Sequence, residues 1–208
     1  MAFPSGWANR ITIARGFVAA ALCVVLHLLA VGLRAVGDAH DGTLWTVAFV
    51  LFVVGAVTDV LDGWIARHRG EVSVFGRIAD PFVDKILILG SGIFLVSIPG
   101  ITAVLPAWVV AAILAREMLV TALRGAIEGR GTNFQAGPWG KIKMILQCVA
   151  IGGVVLYGAG VSWVATRVIG ELSLVRVVVY VCAAVTIVSG VEYAVRAYRL
   201  LGRGAERA

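Results

Sequence analysis

The feature that most limits this chain is a series of six predominantly apolar stretches, at 11–33, 43–66, 78–97, 105–127, 142–160 and 174–198. Each is close to the ~20 residues a helix needs to cross a hydrocarbon core roughly 30 Å thick. A helix also satisfies its own N–H and C=O groups, which lipid cannot do. The expected fold class is therefore all-α: a polytopic membrane protein with six transmembrane helices, forming a single domain over 1–208. Composition agrees, because 60% of the 208 residues are hydrophobic and only 14% are charged. Soluble domains run at roughly 45–50% and about 25%.

Charge placement gives the orientation. Lys and Arg collect in the N-terminal segment, in the connections 67–77 and 128–143, and in the C-terminal tail. The other connections are poor in them: Arg34 stands against Asp38 and Asp41, 98–104 has no charge, and 161–173 holds Arg167 with Glu171. Basic residues stay on the cytoplasmic side, so both termini and the two basic connections are expected there, in a bacterial inner membrane. The net charge of +6 fits a surface facing anionic lipid. No basic stripe with interleaved aromatics appears, which speaks against nucleic acid as a partner. Arg10 and Arg15 precede the first apolar stretch without a small-residue cleavage pattern, so that stretch reads as a span, not a removable signal. Cys23, Cys148 and Cys182 lie in apolar runs without ligand spacing and read as small buried hydrophobes. Trp45, Trp108, Trp139 and Trp163 near the span ends read as interfacial anchors.

Against this apolar background the aspartates stand out. Four of the six, Asp59, Asp62, Asp80 and Asp84, fall at the junction of the second and third stretches. A carboxylate in the membrane costs at least about 2.5–3.5 kcal/mol unless it is compensated, and four together repel. Asp59 and Asp62 are three apart and Asp80 and Asp84 four apart, so each pair shares one helix face. The glycine-containing stretch between Arg67 and Gly76 suits a short turn that brings the two faces together. Four hard oxygen ligands there suit Mg²⁺ or Mn²⁺, and two such metals about 3.5–4 Å apart form a clamp for displacement at phosphorus. Gly63 beside Asp62 would admit a ligand to the helix backbone, Ala66 keeps the same surface low, and Arg67 can grip a phosphate with two parallel bonds.

These residues spell Asp59-x2-Asp62-Gly63-x2-Ala66-Arg67-x8-Gly76-x3-Asp80-x3-Asp84. The pattern resembles the signature of the CDP-alcohol phosphatidyltransferase family at every fixed position. The resemblance implies a six-helix, homodimeric membrane enzyme with a polar cavity open to the cytoplasm. It also implies that the four aspartates bind two divalent metals bridging the pyrophosphate of CDP-diacylglycerol, with Asp84 as general base. Gly63, Ala66, Arg67, Ser73 and Gly76 would then serve the CDP-lipid. Asn9, Thr12 and Arg15, spaced by threes, resemble the family's Asn-x-x-Thr-x-x-Arg segment, which belongs to the same nucleotide site.

The alcohol acceptor is written further along. Arg116, Arg124, Lys141 and Lys143 would make a cationic pocket on the cytoplasmic side, suited to an acceptor that carries its own phosphate. Arg116 lies inside a stretch and needs a partner; Glu117 next to it points about 100° away around the helix, which favours a substrate phosphate or an aspartate of another helix over Glu117. Lys141 and Lys143 equally obey the positive-inside rule, and Arg124 could reach the interface. Arg116-Glu117-x6-Arg124 followed by Gly140-Lys141-x-Lys143-x3-Gln147 resembles the phosphatidylglycerophosphate synthase branch of the family, implying sn-glycerol 3-phosphate as acceptor. Inositol phosphate, phosphatidylglycerol and serine stay open as acceptors, and a cation transporter with aspartates lining an ion path is the alternative of a different class.

Overall fold

The computed structural model describes residues 7–36, 42–69, 74–129, 138–169 and 172–205, with side chains described over 10–32, 42–59, 79–129, 142–166, 168–169 and 172–200. Among these residues the chain is mostly helical. The long helices are α1 (Trp7–Val36), α2 (Gly42–Arg69), α5 (Ala107–Glu128), α6 (Pro138–Gly158) and α8 (Leu174–Ala205). Between α2 and α5 a further helical stretch begins as α3 (Val74–Lys85), passes through a π-helical turn over Ile86–Gly90 and ends as α4 (Ser91–Leu95). Helix is therefore found at each of the six apolar stretches. Three helices, over Arg10–Gly32, Gly42–Asp59 and Leu174–Leu200, are long and apolar enough to cross a membrane by length and composition. The 22 residues of α5 include Arg116, Glu117 and Arg124, and α3 carries Asp80, Asp84 and Lys85. The polar groups thus concentrate where a site can use them.

Packing gathers these helices around a main apolar core, with a smaller cluster of Val120, Ile127, Tyr193 and Ala197 between α5 and α8. α1 lies against α2 and α3, while α8 packs on both α5 and α6. Leu22, Leu26, Phe52, Leu95, Val109, Ile151 and Val179 are among the buried residues of the core. Close approach depends on small residues at two points of the α2–α6 contact. A Cβ on Gly158 would sit 2.2 Å from the Trp45 ring, and one on Gly152 would sit 3.1 Å from Phe52. Gly100 has φ +81°, the left-handed conformation that glycine adopts without steric cost, and it turns the chain from α4 toward α5.

Two expectations change here. Trp45 is 1% exposed and packs in the core, so it is no interfacial anchor, whereas Trp108 and Trp163 are exposed. Trp45 fills the space that Gly158 leaves on α6, and burying its ring removes more apolar area from water than an interfacial placement would. The connection after α6 holds a short helix, α7 (Ser162–Ala165), and two antiparallel strands, β1 (Arg167–Ile169) and β2 (Leu172–Ser173). The all-α expectation thus needs this minor exception.

Candidate active site

Three helices bring the acidic residues together. Asp59 lies toward the C-terminal end of α2, while Asp80 and Asp84, one turn apart, share a face of α3. From α1, Thr12 and Arg15 also lie one turn apart, and both are buried against that acidic cluster. Thr12 Oγ1 donates to Asp80 Oδ1 at 2.7 Å. Arg15 Nη1 donates to Asp59 Oδ1, and Arg15 Nη2 lies 3.3 Å from Asp84 Oδ1 and 3.6 Å from Asp80 Oδ1. One guanidinium therefore faces three carboxylates.

The exposures are unequal in a useful way. The Arg15 side chain is 1% exposed, whereas those of Asp59, Asp84 and Asp80 are 19%, 32% and 45% exposed. Arg15 closes the site from below, and the carboxylates keep an open side. One positive charge cannot neutralise three carboxylates, so further cations are favoured there. Among the described residues, no group of three His, Cys, Asp or Glu side chains closes on a single point as a finished metal cage. The donor set is nonetheless made of hard oxygens, the kind that Mg²⁺ and Mn²⁺ prefer. The chemistry of the residues fits such ions.

A second cluster, of opposite sign, lies on α5 and α6. Lys143 Nζ and Arg116 Nη1 both donate to Glu117 Oε1, the latter at 3.1 Å. The partner of Arg116 is therefore its own neighbour, not an aspartate of another helix. The 100° offset was a poor guide because a guanidinium on a long stem can reach around the helix. That stem runs over α8 where Gly190 leaves room; a Cβ there would be 3.1 Å from Arg116 Cγ. Lys143 is buried, so it is more than a surface mark of orientation. Nε of Arg116, Nε of Arg124 and Nε2 of Gln147 are buried donors with no partner among the described residues.

One hydrogen-bonded link joins the clusters. Lys85, next to Asp84, donates from Nζ to Thr121 Oγ1 on α5 at 2.7 Å, and Thr121 in turn donates to the Glu117 carbonyl. Sequence reasoning missed the Lys85–Thr121 contact. The signal for Thr121 was present: Glu117, Thr121 and Arg124 fall at i, i+4 and i+7, one polar stripe on an apolar helix. Cys148, on α6 past Lys143, lines an apolar cavity of about 370 Å³ that opens between α2, α6, α7 and α8, with Phe52, Gly152, Leu156, Trp163 and Val178 also in its walls.

Comparison with known proteins decides the family. Residues 6–188 match the CDP-alcohol phosphatidyltransferase family. A Mycobacterium tuberculosis (strain CDC 1551 / Oshkosh) protein named "Probable phosphatidylglycerophosphate synthase" is 38% identical over 167 residues, covering 80% of this chain and 73% of its own length. The Bacillus subtilis (strain 168) CDP-diacylglycerol--glycerol-3-phosphate 3-phosphatidyltransferase is 32% identical over 186 residues, 89% of this chain and 91% of its own. The protein of the same name from Rickettsia typhi is 31% identical over 144 residues, 69% of this chain and 76% of its own.

The chain belongs to the CDP-alcohol phosphatidyltransferase family.

As a phosphatidyltransferase it is an enzyme of the membrane, which sets aside the cation-transporter alternative. The family's expected site residues fall into two groups. Thr12, Arg15, Asp59, Asp80 and Asp84 meet in one place, and Arg116 and Lys143 meet in another. Asp62, Gly63, Ala66 and Arg67 continue α2 past Asp59, Gly76 lies on α3, Asn9 on α1 and Lys141 on α6, all outside the residues whose side chains are described. Ser73 lies outside the described residues altogether.

Proposed function

We propose that this phosphatidyltransferase moves the phosphatidyl group of CDP-diacylglycerol onto sn-glycerol 3-phosphate, giving phosphatidylglycerophosphate and CMP. The observation that carries the proposal is the pair of clusters of opposite sign: Asp59, Asp80 and Asp84 around Arg15, and Arg116 with Lys143 around Glu117, linked through the Lys85–Thr121 hydrogen bond. A donor bearing a pyrophosphate suits the first, and a small phosphorylated alcohol suits the second. The relatives named for transfer to glycerol 3-phosphate support the same acceptor.

In this reading Asp59, Asp62, Asp80 and Asp84 hold two divalent ions, Mg²⁺ or Mn²⁺. When bound, those ions would offset charge on the pyrophosphate and on departing CMP. Thr12 fixes the Asp80 carboxylate, and Arg15 fixes Asp59 and Asp84 in their mutual geometry. Asn9, Gly63, Ala66, Arg67, Ser73 and Gly76 complete the CDP-lipid site. Arg116, Arg124, Lys141 and Lys143 bind the phosphate of the acceptor and aim its primary hydroxyl at the donor. Asp84 takes the proton from that hydroxyl; the oxygen bonds to the phosphorus attached to diacylglycerol, and the bond from that phosphorus to CMP breaks. Holding both reactants in line supplies most of the acceleration, since a positioned base adds about 10²–10⁴-fold. The apolar cavity beyond Cys148 suits an acyl chain of the donor.

The same reading places six spans in a bacterial inner membrane, as one domain that works as a homodimer. Both termini and the site's polar cavity face the cytoplasm. The deciding experiment is CMP release by purified protein in detergent, given CDP-diacylglycerol and Mg²⁺ with acceptors added singly. Release that depends on sn-glycerol 3-phosphate is expected. Release with inositol phosphate, serine or phosphatidylglycerol alone would keep the donor chemistry and discard the acceptor, and failure to bind the CDP-lipid would remove both.

A further inference from the structure

We propose that Glu117 is a positioning residue for the acceptor: it holds the Arg116 guanidinium and the Lys143 ammonium at one fixed spacing so that both meet the same phosphate. The proposal rests on the acceptor assigned above. A single oxygen, Oε1, accepts from both cations, which come from different helices, α5 and α6. All three side chains are largely buried, at 10%, 16% and 9% exposure for Arg116, Glu117 and Lys143. Two buried cations that share a carboxylate would repel each other and separate without it, because burial weakens solvent screening. One carboxylate against two cations still leaves a positive excess. The pocket also keeps spare donors, since Arg116 Nε and Gln147 Nε2 are buried without partners among the described residues. Glu117 thus sets the geometry of an anion site without cancelling its charge.

Charge alone predicts the opposite sign. If Glu117 served only to dilute the positive potential, removing its charge would tighten phosphate binding and lower KM. A positioning role predicts weaker binding, because the two cations lose their common anchor. A purely structural role would reduce the active fraction, and so kcat, without moving KM.

The test is steady-state kinetics of the full-length protein in detergent, with CDP-diacylglycerol and Mg²⁺ saturating and sn-glycerol 3-phosphate varied. Glu117→Gln is expected to raise KM for sn-glycerol 3-phosphate at least tenfold while KM for CDP-diacylglycerol stays within about twofold. Glu117→Asp, which keeps the charge on a shorter stem, should fall between it and the parent. An unchanged or lowered KM for sn-glycerol 3-phosphate in Glu117→Gln overturns the proposal; if that variant cannot be purified, the same criterion applies to Glu117→Asp. Lys143→Met separates the two layers. If it raises that KM and Glu117→Gln does not, the acceptor pocket stands and the role of Glu117 falls. If neither moves it, the acceptor assignment has failed and the role of Glu117 falls with it.

Discussion

A guanidinium carries five N–H groups in a planar fork, and Arg15 uses that fork to reach carboxylates on two other helices. A lysine there would bring one compact ammonium and lose the two separate nitrogens, Nη1 and Nη2, that reach Asp59 and Asp84. Arg15→Lys is therefore expected to cut CMP release more than tenfold while far-UV circular dichroism stays helical; activity above half of the parent value would show that the bridging is dispensable. Asp84 has a different burden. As the proposed base it should tolerate Asn in shape but not in chemistry, so Asp84→Asn should lose about 10²–10⁴-fold in turnover with its unfolding temperature little changed. Substantial residual turnover in purified protein would take Asp84 out of that role. At this scale the sequence was legible where residues of one helix share a face: Asp80 with Asp84, Thr12 with Arg15. It was illegible for Arg116, because the direction of a Cα–Cβ bond says little about where the end of a long, flexible side chain arrives.

Element by element, the helices form where apolar length demands them, and their contacts are set by where side chains are missing. Gly158 and Gly125 make the contrast measurable. A Cβ at 158 would collide with the buried Trp45 ring, whereas one at 125, on an exposed part of α5, meets nothing within 4 Å. Gly158→Ala should cost about 1–3 kcal/mol through overpacking. Gly125→Ala should gain up to about 1 kcal/mol through helix propensity. Thermal unfolding in detergent reads both, and a Gly158→Ala variant as stable as the parent or more so would mean that the α2–α6 contact yields easily. The π-helical turn at Ile86–Gly90, directly after Asp84 and Lys85, alters the phase of the helix between its polar start and its buried end. The run of Ile, Leu and Gly there gave no warning of it, since the same residues serve an ordinary α-helix. The short strands after α7 were equally unannounced, in a stretch expected only to connect two spans.

For the whole molecule, the proposed topology makes the connections alternate between the two sides of the membrane. With Cys23, Cys148 and Cys182 replaced, Thr102→Cys should react with a membrane-impermeant thiol reagent added to intact cells. Glu128→Cys should react only after the cells are opened. Labelling of both from outside would break the six-span arrangement. What the sequence determined by itself follows from local rules: the hydrocarbon thickness fixes the length of an apolar stretch, and helical periodicity fixes which carboxylates share a face. Those rules were enough for the helical architecture and for the family reading drawn from the acidic motif, and the family match bears that reading out. What only the tertiary structure decided is which distant segments meet. Arg15 and Asp59 are 44 residues apart and Thr12 and Asp80 are 68 apart, and their contacts exist because α1 packs against α2 and α3. The same holds for Glu117, whose bond to Lys143 spans two helices. Periodicity orients a side chain on its own helix, but the neighbour it meets depends on how all the helices fill space together.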